Sequence, residues 1–324
     1  MDQKRNFMYF DLSCSDQSLR LFELISREIK IMPDAIGFVG LGLMGQGATK
    51  CLTRAGYQVT GFDINPSKND LAAKHGVIPA SNAQAVAEAS DIILICVMTP
   101  DDLENAIFAK KGLASGMRRG ALLVDHSTTP VETTKLFAAR LRKAADAGWI
   151  DAPVSGGPEK AEAGELAIMA GGTEEDINKV EDLMETLATS FTVFGDVGAG
   201  QVAKMVNQVL VLNNYAIIAE ALTLAEVGGI DASKIPEALA AGHAGSNLLP
   251  LLFKQMIDRD FNPRGRARQI LKDFDTLHEL AKNLKTPTPM SSQATSLFRM
   301  LIARGDGELD GASILKIYEQ KSSC

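Results

Sequence analysis

The stretch from Ala35 to Asp63 restricts this chain more than any other. Ala35-Ile-Gly-Phe-Val39 reads as a short buried strand, and it runs straight into Gly40-Leu-Gly42-Leu-Met-Gly45. A helical pattern continues to Ala55 and stops at Gly56, and Tyr57-Gln-Val-Thr-Gly-Phe62 then reads as a second strand ending at Asp63. Strand, glycine loop, helix, strand and acid, in that order, describe a βαβ unit with a parallel sheet. The glycine spacing alone is weak evidence. Between a strand and a helix, with a carboxylate about twenty residues on, it becomes a strong dinucleotide-binding signal. Gly40 makes the tight turn, Gly42 lets the backbone approach a pyrophosphate, and Gly45 lets helix and strand pack closely. The anion then meets the positive end of the helix. Leu41, Leu43 and Met44 complete that loop, and Asn65 follows Asp63 at the end of the second strand. Asp63 is placed to accept hydrogen bonds from the ribose hydroxyls and to repel a 2′-phosphate, and no arginine follows before Arg118. The expected cofactor is therefore NAD, with NADP as the alternative. A glycine-rich turn used only for packing is the competing reading.

The alternation continues. Helical stretches near 67–75 and 82–89 lead to Asp91-Ile-Ile-Leu-Ile-Cys-Val97, an apolar run suited to a parallel strand covered on both faces. A helix over 101–108, a strand over 121–124, and a helix over 130–147 started by Thr129 and Pro130 come next. The loops Val97-Met98-Thr99-Pro100 and Asp125-His126-Ser127-Thr128 follow strands, where open α/β sheets bind ligands. Trp149-Ile-Asp151-Ala-Pro-Val-Ser155-Gly156-Gly157-Pro158 then offers consecutive backbone N–H groups without side-chain bulk, either a nest for a carboxylate or an ordinary Gly-Pro loop. Strands over 166–170 and 191–194, with a helix over 174–187 between them, close the sheet near Val197.

Beyond Gly200 the period is helical to the C-terminus. Residues 202–227 are apolar nearly all round, broken by Lys204, Asn207, Gln208, Asn213, Asn214, Glu220 and Glu226. Those breaks argue against a membrane span, while a helix this apolar is expected to be buried, as the spine of a second, all-helical domain that can pack against another subunit. Lys204, Asn207 and Gln208 fall on one helical face. Lysine is rarely buried without a purpose, and desolvation together with the helix N-terminus lowers its pKa. Such a lysine can exchange a proton at a carbonyl or hydroxyl carbon. A snorkelling stem with an exposed ammonium is the other reading.

At 324 residues the length fits two domains. Lys+Arg 33 against Asp+Glu 40 gives a net charge of −7, which argues against a general nucleic-acid or anionic-membrane binder. The four cysteines (Cys14, Cys51, Cys96, Cys324) show no metal or redox spacing, which fits a reducing, cytoplasmic compartment. Residues 1–33, with an amphipathic run over 18–29, read as an accessory extension, or as an upstream start with Met32 as the ancestral one; their acids argue against a transit peptide. None of His75, His126, His243 and His278 forces a histidine-based mechanism.

Together, Gly40–Gly45, Asp151-Ala-Pro-Val-Ser-Gly-Gly157, Gly198-Ala-Gly-Gln-Val-Ala-Lys204-Met-Val-Asn-Gln208 and Lys272-Asp273 resemble the four signatures of the β-hydroxyacid dehydrogenases. The resemblance covers roughly residues 34–320 in one order. It implies an NAD(P)-binding Rossmann domain over 34–197, a helical substrate and dimerisation domain over 198–324 built on a long interdomain helix, and a homodimer or homotetramer. It further implies Lys204 as the catalytic acid/base and Ser155-Gly156-Gly157 as the substrate-binding loop. Asn207 and Gln208 are implied as amides that orient the substrate, with Gln208 standing where many members carry asparagine. Val97, Met98 and Thr128 match cofactor-contact positions, and Lys272 matches a lysine that closes over the cofactor. Intact Lys204 weighs against the imine-reducing and non-catalytic members.

The expected reaction is hydride transfer between a nicotinamide and a small anionic 3-hydroxy acid or its semialdehyde, without a metal. Gln208, and Asn247 after the loop Gly242-His-Ala-Gly-Ser246, resemble the tartronate semialdehyde (2-hydroxy-3-oxopropionate) reductases of the family. That pair ranks first, 3-hydroxyisobutyrate second, and L-threonate or another sugar acid third. A cofactor-binding regulatory protein without turnover is the alternative from another class.

Overall fold

The computed structural model describes residues 35–319. The extension read over residues 1–33, with Cys14 and the terminal Cys324, lies outside the described residues. Elements alternate as the sequence pattern requires: β1 (Ile36–Val39), α1 (Leu43–Arg54), β2 (Val59–Phe62), α2 (Pro66–Ala73), β3 (Ile78–Pro79), α3 (Ala83–Glu88), β4 (Ile92–Ile95), α4 (Pro100–Phe108), β5 (Leu122–Asp125), α5 (Val131–Ala145) and β6 (Gly148–Asp151). These six strands pair in parallel in the order β3-β2-β1-β4-β5-β6. The strand order reverses between β1 and β4, and ligands of doubly wound sheets bind at such a switch point. The sheet goes on through β7 (Val154–Ser155), α6 (Gly157–Ala163), β8 (Leu166–Gly171), α7 (Glu174–Asn178), α8 (Glu181–Leu187) and β9 (Ala188–Gly195). There β8 is antiparallel to β6 and β7 and parallel to β9.

Period-two alternation divides the central strands between two cores. Ile36, Phe38, Ile92, Leu94, Leu122, Val124 and Ile150 face one side, with α1 residues Cys51 and Leu52. Val39, Ile93, Ile95, Leu123 and Trp149 face the other, with Leu103, Ile107 and Phe137. Both faces are covered, so continuous apolar strands are stable here.

After Gly198 the chain becomes helical: α9 (Ala199–Val227), α10 (Ile235–Leu239), α11 (Leu248–Ile257), α12 (Ala267–Asn283) and α13 (Pro289–Ala303). Helix α9 is long and apolar enough to cross a membrane by length and composition. Its Leu212, Ala216, Ala219 and Leu222 pack with Phe253, Phe274 and Phe298 in a third core.

Four details depart from the sequence pattern. Strand β6 escapes it because only Trp149 and Ile150 in Gly148–Asp151 are apolar, too short a run to announce a strand. Strands β3 and β7, two residues each, leave no periodic signal. The helix expected over 174–187 is two helices, because buried Val180 adopts a non-helical backbone at φ −119°, ψ 1°. Thr129 does not cap α5: Pro130 holds the cap position, and the Thr129 amide is bonded elsewhere, to Gln201.

Candidate active site

The glycine loop crosses the switch point. Gly40 has φ 90°, and a Cβ there would collide with the Cys96 carbonyl at the end of β4. A Cβ on Gly45 would collide with the Gly40 carbonyl. These two glycines serve close packing. Gly42 differs: nothing lies within 4 Å of its added Cβ, and it stands at the start of α1 with no side chain capping the helix. An open, uncapped helix N-terminus beside a glycine is the cradle a pyrophosphate requires. Leu41 is buried beneath the loop, and Leu43 is exposed on it.

Asp63 is buried at the tip of β2, where Oδ2 accepts a hydrogen bond from Leu41 N at 2.9 Å and Oδ1 one from Asn65 N at 2.8 Å. It thus ties the second strand to the glycine loop. Asn65 caps α2 by accepting from Ser67 N at 3.1 Å. No arginine follows Asp63 before Arg118, but Lys68, five residues on, brings its Nζ to 3.4 Å from Oδ2, a neighbour that a search for arginine passes over.

Next come the loops after β4 and β5. Val97 N donates to Ser127 Oγ at 3.0 Å, which joins the two loops. Lys272, on α12, reaches across to donate to Thr128 O at 2.9 Å and Met98 O at 3.4 Å. Val97, Met98, Thr128 and Lys272 are therefore brought together, beyond the carboxyl ends of β4 and β5.

Lys204 is the centre of the other wall. It is only 7 % exposed, and Nζ donates to Val154 O at 2.8 Å, next to Ser155. The loop it touches turns at Gly156 (φ 137°) and Gly157 (φ 82°), backbone forms that glycine takes without strain. Burial lowers the Lys204 pKa from its ordinary value; the Asp273 carboxylate works in the opposite direction, and Lys272 reinforces the lowering. Further along α9, Asn207 Nδ2 donates to Gln208 Oε1 at 2.9 Å, and Gln208 Nε2 donates to Asp273 Oδ2 at 2.5 Å. Asp273 Oδ1 pairs with Lys272 Nζ at 3.1 Å. One hydrogen-bonded series thus runs from Asn207 through Gln208 and Asp273 to Lys272 and the Thr128 loop. Asp273 acts in it through its carboxylate, beyond its place in the Lys272-Asp273 signature.

Asn247 stands apart. It is exposed at the start of α11 and lines a separate cavity of about 880 Å³ with Ser233, Glu237, Ser246 and Lys254; no other predicted site residue lines that cavity.

Beneath the site lie two carboxylates at paired positions of β5 and β6, Asp125 and Asp151. Asp151 accepts from Gly198 N at 2.7 Å and Gln201 N at 2.9 Å, which caps α9. Burial pushes its pKa up to about 6, against the pull of those amides. Burial pushes Asp125 up to about 7; bonds from Ser127 oppose this, Asp151 adds to it, and Lys272 opposes it. Both values lie above the ordinary 3.8, so the fold favours their protonated forms. Their contribution is fully present below the ordinary carboxylate range and is lost as pH rises through about 6 to 7. Asp125→Asn should therefore gain about 1–3 kcal/mol relative to wild type between pH ~5 and ~8 in urea unfolding. A difference that does not change with pH contradicts this.

His126 bonds Ala152 O through Nδ1 at 2.7 Å, and burial lowers its pKa to about 4, so it is a neutral side chain at physiological pH. Cys96, beside the glycine loop, has its thiol pushed up to about 12 by burial, which makes it a poor nucleophile. Among the described residues no cluster of three His, Cys, Asp or Glu side chains could hold a metal.

Known proteins match the chain along nearly its whole described length. Residues 35–195 match the NAD binding domain of 6-phosphogluconate dehydrogenase, and residues 198–318 match the NAD-binding domain of NADP-dependent 3-hydroxyisobutyrate dehydrogenase. The chain is 35% identical to 2-hydroxy-3-oxopropionate reductase of Escherichia coli over 88% of its own length and 97% of the relative's. It is 29% identical to L-threonate dehydrogenase of Cupriavidus necator, over 87% and 95% of the two chains. The crystal structure of 3-hydroxyisobutyrate dehydrogenase from Salmonella typhimurium superposes with a TM-score of 0.81 at 29% identity, covering 88% of this chain and 99% of that one. The chain belongs to the β-hydroxyacid dehydrogenase family of NAD(P)-dependent oxidoreductases.

Proposed function

We propose that this enzyme interconverts a small 3-hydroxy acid and its semialdehyde, with 2-hydroxy-3-oxopropionate as the preferred substrate. The observation that carries the reading is Lys204, buried, held by Val154 O beside the Ser155-Gly156-Gly157 turn. A lysine desolvated in this way exchanges a proton at a pH where an ordinary lysine holds it. The bound nicotinamide would supply or accept the hydride. In reduction the Lys204 ammonium gives its proton to the substrate oxygen; in oxidation the neutral amine takes it. Ser155, Gly156 and Gly157 hold the substrate carboxylate, and Asn207 and Gln208 orient it from α9. Gly40, Leu41, Gly42, Leu43, Met44 and Gly45 cradle the pyrophosphate, Asp63 and Asn65 meet the ribose, and Val97, Met98, Thr128 and Lys272 hold the nicotinamide half. Asn247, exposed on α11, belongs to this set only by sequence resemblance.

The substrate ranking is supported by Gln208 and by the identity to the E. coli reductase, which exceeds that to the L-threonate enzyme. Assaying a panel of glycerate, 3-hydroxyisobutyrate and L-threonate with NAD, followed by NADH absorbance, tests it. Turnover of glycerate with the highest kcat/KM is expected; a clear preference for either of the others overturns the ranking, and no turnover of any hydroxy acid favours a regulatory protein. On the cofactor side, buried Asp63 should repel a 2′-phosphate, and Lys68 beside it offsets part of that repulsion. We expect kcat/KM to favour NAD over NADP by about tenfold or more, which corresponds to ~1.4 kcal/mol. Preference for NADPH in a cofactor titration contradicts it.

The family matches divide near residue 197, which supports a cofactor domain over 34–197 and a substrate and dimerisation domain over 198–324. A homodimer or homotetramer is supported by α9, whose Val206, Leu210, Ile217, Leu224 and Val227 are exposed along one heptad-spaced seam. A monomeric mass in light scattering would remove that part of the proposal.

A further inference from the structure

The geometry points to Gln201 as a positioning residue that fixes the cofactor loop relative to Lys204. It sits in the first turn of α9 and is fully buried. Its side-chain amide is used at both ends: Nε2 donates to Ser127 O at 2.9 Å, and Oε1 accepts from Thr129 N at 3.2 Å. The two bonds run in opposite directions to the residues on either side of Thr128. A single bond would let the loop pivot, whereas two antiparallel bonds to one planar amide fix its height and its tilt. Lys272 adds a third bond, to Thr128 O, from α12.

The helix end that carries Gln201 is itself immobilised. Gln201 N donates to Asp151 Oδ2 at 2.9 Å, and a Cβ on Gly200 would stand 2.5 Å from the Asp151 and Met169 carbonyl oxygens. The first turn of α9 is thus pressed against β6 and β8 without free space. Lys204 lies three residues further, on the same side of the helix. The same anchored end of α9 therefore carries both the proton-exchanging lysine and the clamp on the loop that holds the cofactor. Glutamine chemistry suits this position, because a neutral amide can donate to one backbone group and accept from another without placing a charge in a buried site.

The inference rests on the reading of Thr128 as a cofactor contact, and the experiment separates the two. Amide exchange on the cofactor-free wild type should show Thr129 N–H protected, although it lies between elements. Gln201→Met, which keeps the length and removes both bonds, should speed that exchange by about 10- to 100-fold while the amides of β5 keep their protection. In the same variant the NADH dissociation constant, from fluorescence titration, should rise about tenfold, and kcat should fall about 10- to 100-fold. A deuterium isotope effect on hydride transfer should grow, and the pH at which kcat is half-maximal should stay put, because the surroundings of Lys204 are unchanged. A residue with only a packing role would leave those quantities unaltered per folded molecule. An unprotected Thr129 amide in folded wild type, or unchanged NADH affinity and kcat in Gln201→Met, overturns the inference. Gly42→Val serves as the control: if it loses NADH while Gln201→Met does not, the clamp fails and the cofactor reading stands. If neither variant changes NADH affinity, the cofactor reading itself fails.

Discussion

Replacing Lys204 with alanine should lower kcat by about 10²- to 10⁴-fold while the affinity for NAD changes by less than about threefold. The size follows from the role: a positioned proton donor or acceptor acts only as the reaction proceeds, so its loss falls on kcat rather than on cofactor binding. The location supports the split. Lys204 touches Val154 O, on the Ser155 side of the site, whereas the bonds to the cofactor loops come from Gln201 and Lys272. Lys204→Arg separates charge from proton exchange. Arginine keeps the positive charge but is effectively never deprotonated, so it should rescue substrate affinity and leave kcat low. Full activity in Lys204→Ala ends the proposal.

Gly42→Val should leave the protein as stable as wild type, within ~2 °C in Tm, yet weaken NAD binding by about 10²-fold or more. The Cβ of residue 42 meets nothing within 4 Å, and its φ of −69° lies in the range open to side-chain-bearing residues, so the substitution introduces no clash at the Cβ and no backbone strain. The empty volume is where a dinucleotide would bring its phosphates onto the α1 amides, and a branched side chain there shuts it out. The neighbouring glycine gives the opposite result. At Gly45 a methyl group collides with the Gly40 carbonyl, so Gly45→Ala should cost stability before any cofactor is added. Equal damage to stability from both substitutions, or unaltered NAD affinity in Gly42→Val, contradicts the division of labour in this loop.

Much of this site is legible in the sequence because its residues break local rules. A lysine in an apolar helix, three glycines between a strand and a helix, and an acid at a strand end are each costly or unusual unless they serve something. The βαβ alternation is equally plain, because strands buried on both faces leave continuous apolar runs such as Ile92–Ile95. What escapes is long-range or too short. Gln201 looks like an ordinary polar residue in a helix; only the fold shows it reaching the loop 72 positions away. Asp273 is visible as half of a signature, but its bonds to Gln208 and its nearness to Lys204 depend on how α12 packs against α9. Strand β6, four residues long, gives too weak a pattern to be seen. Asn247, drawn in by a five-residue match, is exposed and lines a cavity that no other predicted site residue lines, so its place in the site rests on the resemblance alone.

The pH dependence of kcat in both directions tests the central claim, that Lys204 exchanges the substrate proton. Burial lowers its pKa from the ordinary 10.5, so the ammonium should be lost within an accessible range. Oxidation needs the neutral amine, and kcat should rise with pH to a plateau; reduction needs the ammonium, and kcat should fall as pH rises through the same region. The two limbs should slope in opposite directions, and both should disappear from the residual activity of Lys204→Ala. Limbs that slope the same way, or that persist in Lys204→Ala, would assign the proton to another group and contradict the account.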